Sequence, residues 1–343
     1  MDVDYIIVGQ GLAGSAMAMA LLQRGRKVLV LDREDTNSAS RVAAGLVTTV
    51  AGKGMNPGWR QAEYLPQAMA YYRKLEAEYG VKLFHAKEVL RLFDDEKQKA
   101  KFERKFEQIE DWVADLTGGV SSEWNADAGG FKMLHGGWLD TNAYMRVVRA
   151  ALGEGGYRKC DFSFDDVDLL EGGVCWNGVK AKRVILCQGI SGLEGSPFSH
   201  PVHRSAKGEM LKVKIPNADQ SKIINRNGWM VPLGDETWRV GATYKWEDMQ
   251  GQTTDEGRRA VREKLENFTS LPYEVLEHSA GVRPIMRKSQ PYVGVHPEHH
   301  QLGFFNGLGS KGVITAPSVA EHFSDYLEGN IDELDPELIL PVV

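Results

Sequence analysis

The chain has 343 residues, 42% of them hydrophobic and 26% charged, with a formal net charge of −6. A length of this order buries a full core and is expected to divide into two domains. An acidic balance with no long basic block argues against a nucleic-acid surface, which needs clustered Lys and Arg, so the expected partner is a small molecule. Cys160, Cys175 and Cys187 lack a CxxC spacing, suggest neither a disulfide framework nor a zinc site, and fit a reducing cytoplasm. No stretch is apolar for long enough to span a bilayer, and Asp2 and Asp4 stand where a secretory signal needs positive charge. With no internal repeat and no low-complexity linker, the second domain is expected to be interleaved with the first.

Residues Tyr5 to Val8 read as a short apolar strand. The GxGxxG turn Gly9-Gln10-Gly11-Leu12-Ala13-Gly14 follows, then an Ala/Met/Leu-rich helix running to Gly25. Gly9 permits the tight turn, Gly11 a close approach of backbone to a pyrophosphate, and Gly14 close packing of helix on strand. The phosphates would sit at a helix N-terminus, where free N–H groups and the dipole favour negative charge. A second buried strand, Val28 to Leu31, ends in Asp32, which is placed to accept hydrogen bonds from ribose hydroxyls. Its carboxylate would repel a 2′-phosphate, so NADP fits least. NAD and FAD both stay open on the loop alone.

Further along, VAGKGMNPGWRQAEYLP reads as a loop and helix start, either solvated or presenting Lys53, Asn56 and Trp59 to a ligand. From Asp94 to Leu116, Phe102, Phe106, Ile109, Val113 and Leu116 recur at helical spacing, which predicts a packing face. GEGGY at Gly153 follows a helix-like stretch and reads as a turn, so the second GxGxxG that an NAD(P)H-using flavoenzyme needs is absent. Lys207 in HRSAKGEM and Lys311 in GSKG are either surface charges or positive charge suited to an anionic substrate. HPEHH, from His296 to His300, lacks an i, i+4 histidine pair and reads as a surface loop, so no metal site is expected. GVRP then precedes a strand, Leu302 to Phe305, a turn with Gly307, Gly309 and Gly312, and a helix towards Tyr326. Pro317 limits how early that helix can begin. The turn offers a second set of backbone N–H groups, suited to an electron-rich ring edge.

In their order and spacing, GQGLAG with Asp32, SASRVAAGLV, RVILCQG, VGATY, GVRP and NGLGSKGV resemble the D-amino-acid oxidase (DAO) superfamily. The branch is that of glycine oxidase, sarcosine oxidase and the oxidase half of the bifunctional tRNA wobble-uridine modification enzyme, and the resemblance covers nearly the whole chain. It implies an α/β fold with a Rossmann-like FAD-binding domain of glutathione-reductase type from residues 1–80, 135–200 and 282–343. An interleaved α+β substrate domain of mixed antiparallel sheet would come from residues 81–134 and 201–281. One non-covalent FAD is implied, since none of the cysteines lies where covalent relatives attach theirs. By position, Gly9, Gly11, Leu12, Ala13 and Gly14 would line the pyrophosphate, and Asp32 with Arg33 the adenosine end. Ser40, Arg41, Ala43, Ala44, Gly45 and Leu46 would run towards the flavin. Phe162 and Gly189 would lie against the adenosine half, and Leu308, Gly309, Ser310, Lys311, Gly312 and Val313 would pass the pyrimidine edge.

The implied activity is oxidation of a small amine or amino acid, by hydride transfer from the carbon next to nitrogen to flavin N5, with dioxygen or another acceptor reoxidising FAD. Arg283 stands beside the flavin where those oxidases clamp the substrate carboxylate, a task its planar fork suits. Trp229 and Tyr244 stand where glycine oxidase has a tyrosine and a methionine, and are read as pocket walls. Arg239 falls where sarcosine oxidases place an oxygen-activating lysine. In a regular strand Arg239 and Tyr244 point to opposite faces, so both line the pocket only if the strand bends or ends. The alternatives are a tRNA-modifying oxidoreductase of the wobble-uridine type and a flavin-binding protein without turnover.

Overall fold

The computed structural model describes residues 2–116, 119–193, 197–198 and 202–339. Its helices are α1 (Leu12–Gln23), α2 (Ala39–Val42), α3 (Gln61–Tyr79), α4 (Glu96–Ile109), α5 (Thr141–Leu152), α6 (Asp255–Phe268) and α7 (Gly312–Leu327). They pack around two large sheets.

The first sheet has the spatial order Tyr157–Lys159, Val28–Asp32, Tyr5–Val8, Arg183–Leu186, Leu302–Asn306 and Tyr292–Val295. All its pairings are parallel except that of the last strand. Strands such as YIIV, VLVLD and RVIL are apolar at nearly every position because both faces are covered. On one face lie α1, α3, α5 and α7. On the other is a small antiparallel sheet of Val167–Leu170, Gly173–Trp176 and Val179–Ala181, whose Trp176 joins the core. The Ala- and Gly-bearing α1 is buried on every side except near its C-terminus, and its small residues let α5 and α7 approach closely. The carboxyl ends of four strands thus open onto one crevice, at Gly9, Asp32, Gly189 and Asn306.

The second sheet has eight strands in the order Glu274–Arg283, Ala206–Lys214, Thr237–Gly241, Trp229–Gly234, Lys222–Asn225, Glu88–Leu92, Gly130–Met133 and Val113–Asp115. Only Lys222–Asn225 and Glu88–Leu92 pair in parallel, so the sheet is mixed. One face, with Leu90, Leu211, Val213, Met230, Trp238 and Val240, packs on Val261, Leu265 and Phe268 of α6. Alternate residues, among them Gly208, Met210, Trp229, Asn225 and Arg91, line a cavity on the opposite face.

Two local expectations change. The helical spacing through Leu116 outlasts its helix: α4 stops at Ile109, and Val113 opens a strand whose side chain enters the same apolar cluster as Phe102 and Ile109. Pro317 does not delay α7, which starts at Gly312 and carries the proline inside it. A proline there leaves the Val313 carbonyl without its helical donor, and the Tyr72 hydroxyl of α3 donates to that oxygen at 2.8 Å.

Candidate active site

The cavity measures about 1290 Å³ and runs from the crevice of the first sheet to the inner face of the second. At the crevice end, Gly9 has φ +98°, and a Cβ on it would lie 2.5 Å from the Cys187 carbonyl oxygen. A Cβ on Gly14 would lie 1.8 Å from the Gly9 oxygen, whereas one on Gly11 would meet only the Ser40 hydroxyl, at 2.9 Å. Gly9 and Gly14 therefore set the turn and the helix packing, and Gly11 faces the open side. The Leu12 N–H donates to Ser40 Oγ at 2.9 Å, and no acid occupies the first turn of α1, so its positive end faces the cavity.

Asp32 is held by backbone donors, Gln10 N–H at 2.6 Å and Glu34 N–H at 2.8 Å, with Arg41 at 3.3 Å. Gln10 is itself fixed: its amide donates to the Met145 carbonyl at 2.8 Å and accepts from Arg149 at 2.7 Å. Arg149, with Tyr157 and Lys159, holds the Glu34 carboxyl down at about 2. Arg33 also lines this end, paired to Asp35, and Phe162 stacks on Trp176 with ring centroids 6.5 Å apart. The Gly189 oxygen accepts from the Asn306 amide at 2.7 Å, which ties two strand ends together across the crevice.

The segment Ala43, Ala44, Gly45 and Leu46 forms one wall. Gly45, at φ +64°, lies so close to Leu139 that a Cβ would sit 1.9 Å from its carbonyl oxygen, and Leu139 N–H donates to the Gly45 oxygen at 2.9 Å. Opposite lie Leu308, Gly309, Ser310, Lys311, Gly312 and Val313, at the start of α7. Gly309 N–H donates to the Pro284 carbonyl at 2.9 Å. The Lys311 ammonium reaches Thr48, its carbonyl at 3.2 Å and its hydroxyl at 3.3 Å, and burial pushes its pKa down to about 8.

On the second sheet, the Arg283 guanidinium lies over Gly208, where a Cβ would come within 2.2 Å of Nη2. Arg283 Nη1 has no hydrogen-bond partner, burial draws the group's pKa down, and among the described residues no carboxylate lies within ion-pair distance. The Tyr244 ring sits 5.5 Å from its Cζ and packs edge-on against Trp246. Trp229 lines the same end, its indole filling the space that a Gly241 side chain would take.

Three sequence candidates stand behind the cavity wall. Gly14 packs on Gly9, and Arg41 turns to Asp32. Arg239 donates to the Ala43 carbonyl at 2.6 Å, while its strand ends at Gly241 and leaves Tyr244 to the cavity. Lys53 lines the cavity, but Asn56 contacts Lys105, and Trp59 donates to Glu337 at 3.3 Å. Lys207 offers no charge to a substrate, since it is buried against Glu209 at 3.3 Å and bonded to Asp248. The sequence reading missed Gly208, Asn306 and Arg91. For Gly208 a signal existed, because a glycine within a strand marks a close approach.

The unsubstitutable turn, the open helix end, the oriented acid and a half-buried lysine with no counter-ion among the described residues make a cradle that fits an extended dinucleotide. The chain resembles, at 22% identity over 94% of its length, the tRNA 5-methylaminomethyl-2-thiouridine biosynthesis bifunctional protein MnmC of Marinobacter nauticus, of which it spans 55%. Two solved structures share its fold: glycine oxidase from Geobacillus kaustophilus (TM-score 0.80, 19% identity, 99% of this chain and 98% of that one) and iminodiacetate oxidase from Chelativorans sp. BNC1 (0.79, 19%, 98% and 98%). The sequence profile described as FAD dependent oxidoreductase, DAO, matches residues 4–326, and the chain belongs to that family of FAD-dependent oxidoreductases.

Proposed function

We propose that this flavoprotein oxidises a small amino acid, or an amine bearing a carboxylate, at the carbon next to nitrogen, and that Arg283 clamps the carboxylate. The supporting observation is the Arg283 guanidinium itself, half-buried in the cavity wall with Nη1 buried and unbonded and, among the described residues, no acid within ion-pair distance. An uncompensated buried cation is costly, and a bidentate carboxylate is the ligand its fork fits. Tyr244 and Trp229 would wall the substrate, fix its orientation and exclude water. FAD, held along the cavity by the residues assigned above, supplies the two-electron acceptor.

The test is anaerobic addition of a panel of amino acids, N-methyl amino acids and their decarboxylated analogues, followed by flavin absorbance at about 450 nm. Carboxylate-bearing amines should bleach the flavin and the decarboxylated ones should not. Arg283→Met should lower kcat/KM by about 100-fold or more, the scale of removing one member of a buried charge pair. Failure of every amine to bleach the flavin would refute the reading. The likeness to MnmC favours a second reading, in which the amine is carried on a tRNA. Salt-sensitive retention of tRNA would support it.

A further inference from the structure

Away from Arg283, the same cavity is lined by a second group of cations that, among the described residues, outnumber the one acid beside them, Asp94. Arg91, in the strand Glu88–Leu92, is only 8% exposed, and among the described residues no carboxylate lies within ion-pair distance of it. One of its N–H groups donates to the Gly52 carbonyl at 2.9 Å. Anchoring that loop does not account for a buried charge. Lys101 and Lys105 of α4 already hold the next two carbonyls, of Lys53 at 2.6 Å and Gly54 at 2.8 Å, and a neutral donor would serve at Gly52. Lys264 of α6 reaches the same end, its ammonium on the Asn227 carbonyl at 2.6 Å, likewise without a carboxylate. Burial lowers the pKa of both groups. Asp94 lines this end too, pairs with Arg226 at 3.5 Å and acts on Arg91 and Lys264 through its charge, which leaves three cations to one carboxylate.

The sheet register fixes how far apart the two cationic ends lie. Arg91 pairs with Asn225, Asn225 with Trp229, Trp229 with Gly241, and Gly241 with Met210. That is four strand spacings, or roughly 19 Å. Arg283 lies over Gly208, on the strand of Met210. With the Arg91 guanidinium on the Gly52 carbonyl and the Arg283 guanidinium over Gly208, one carboxylate does not serve both ends.

We propose that Arg91 and Lys264 form a second anion subsite, and that the substrate is an elongated amino acid or amine whose far end carries a carboxylate or phosphate held there. This rests on the reading that Arg283 takes the carboxylate beside the reacting nitrogen. A site built around a buried charge discriminates strongly against an analogue that lacks the partner.

The experiment titrates the FAD-loaded protein with unreactive linear acids and reads the perturbation of the flavin absorption bands. The probes are fatty monoacids, α,ω-dicarboxylates from adipate to dodecanedioate, and ω-phosphonocarboxylates of matching length. A diacid of the right length should bind about tenfold more tightly than the monoacid of that length. The gain should vanish in R91Q, shrink in K264Q and return in part in R91K, while R283M weakens both acids. The relative affinity of the diacid and phosphonate series identifies the anion. K264Q, at a half-buried position, carries the test if R91Q fails to retain FAD. Equal affinity for monoacids and diacids at every length, or variants that weaken both alike, overturns the subsite and leaves Arg283 standing. Binding that ignores R283M, or no binding of any acid, overturns the Arg283 reading and the subsite with it.

Discussion

Gly208 and Arg283 show how one missing side chain shapes a binding site. The guanidinium occupies the space above the Gly208 Cα, so a methyl group there must displace it. Gly208→Ala is expected to raise KM for the carboxylate substrate at least about tenfold, a loss of about 1.4 kcal/mol, with FAD content unchanged. Steady-state kinetics on the holoenzyme would show this; an unchanged KM would mean that the arginine does not work from where it lies. Lys311 makes a different case. Its pKa falls to about 8 when folded, against an ordinary 10.5, so the unfolded chain binds the proton more readily between those values. Its cost to stability is therefore fully present below pH 8 and is relieved as pH rises towards 10.5. In the FAD-free protein, Lys311→Met should raise stability by about 2–3 kcal/mol at pH 7, and by less at pH 10, as urea melts at the two pH values would show. Arg283 was legible because GVRP marks it. Gly208 carried only the general mark of a glycine within a strand; its partner lies far along the chain, and the pairing of two strands brings them together.

At the scale of elements, α7 depends on a hydroxyl borrowed from α3. With Pro317 inside the helix, Tyr72 is the donor that satisfies Val313, and both groups are buried. Tyr72→Phe should cost about 1–3 kcal/mol, the penalty of leaving a buried carbonyl unpaired. In a Pro317→Ala background, where the helix can supply its own N–H, the same substitution should cost distinctly less. A double-mutant cycle by chemical denaturation checks this, and simple additivity would contradict it. The sequence placed the central strands of the first sheet well, because burial on both faces makes them continuous apolar runs, but it missed Tyr157–Lys159 and Tyr292–Val295 at the two edges. It overran α4 because Val113 continues the helical spacing by accident of register, while its backbone has already changed to a strand.

At the scale of the molecule, segments from the start, middle and end of the chain build one sheet, and the cavity lies between it and the second. The glycine loops indicated a dinucleotide fold and left NAD and FAD open; FAD followed from the family that the motifs, in their order and spacing, resemble. The strand order of the second sheet was not legible. Its pairings join segments from residue 88 to residue 283, and antiparallel strands with one face on a cavity carry a weaker pattern. Because the residues proposed to hold FAD come from so many separate segments, FAD should stabilise the whole assembly. At a free concentration a thousandfold above its Kd the gain is about 4 kcal/mol. Thermal melts with and without added FAD should differ accordingly, and coincident melts would mean that the cradle is not formed around it.

Arg239 belongs to the second sheet yet ends on the Ala43 carbonyl, and Gly281 of that sheet leaves no room for a methyl group beside Val42. The two halves are thus riveted along the inner edge of the groove. Those two contacts oppose a hinge between the halves. The traffic of reactant and product is expected to run through the irregular stretch after Gly241 that bears Tyr244, so the pace of turnover would follow the mobility of one short loop rather than the parting of two bodies.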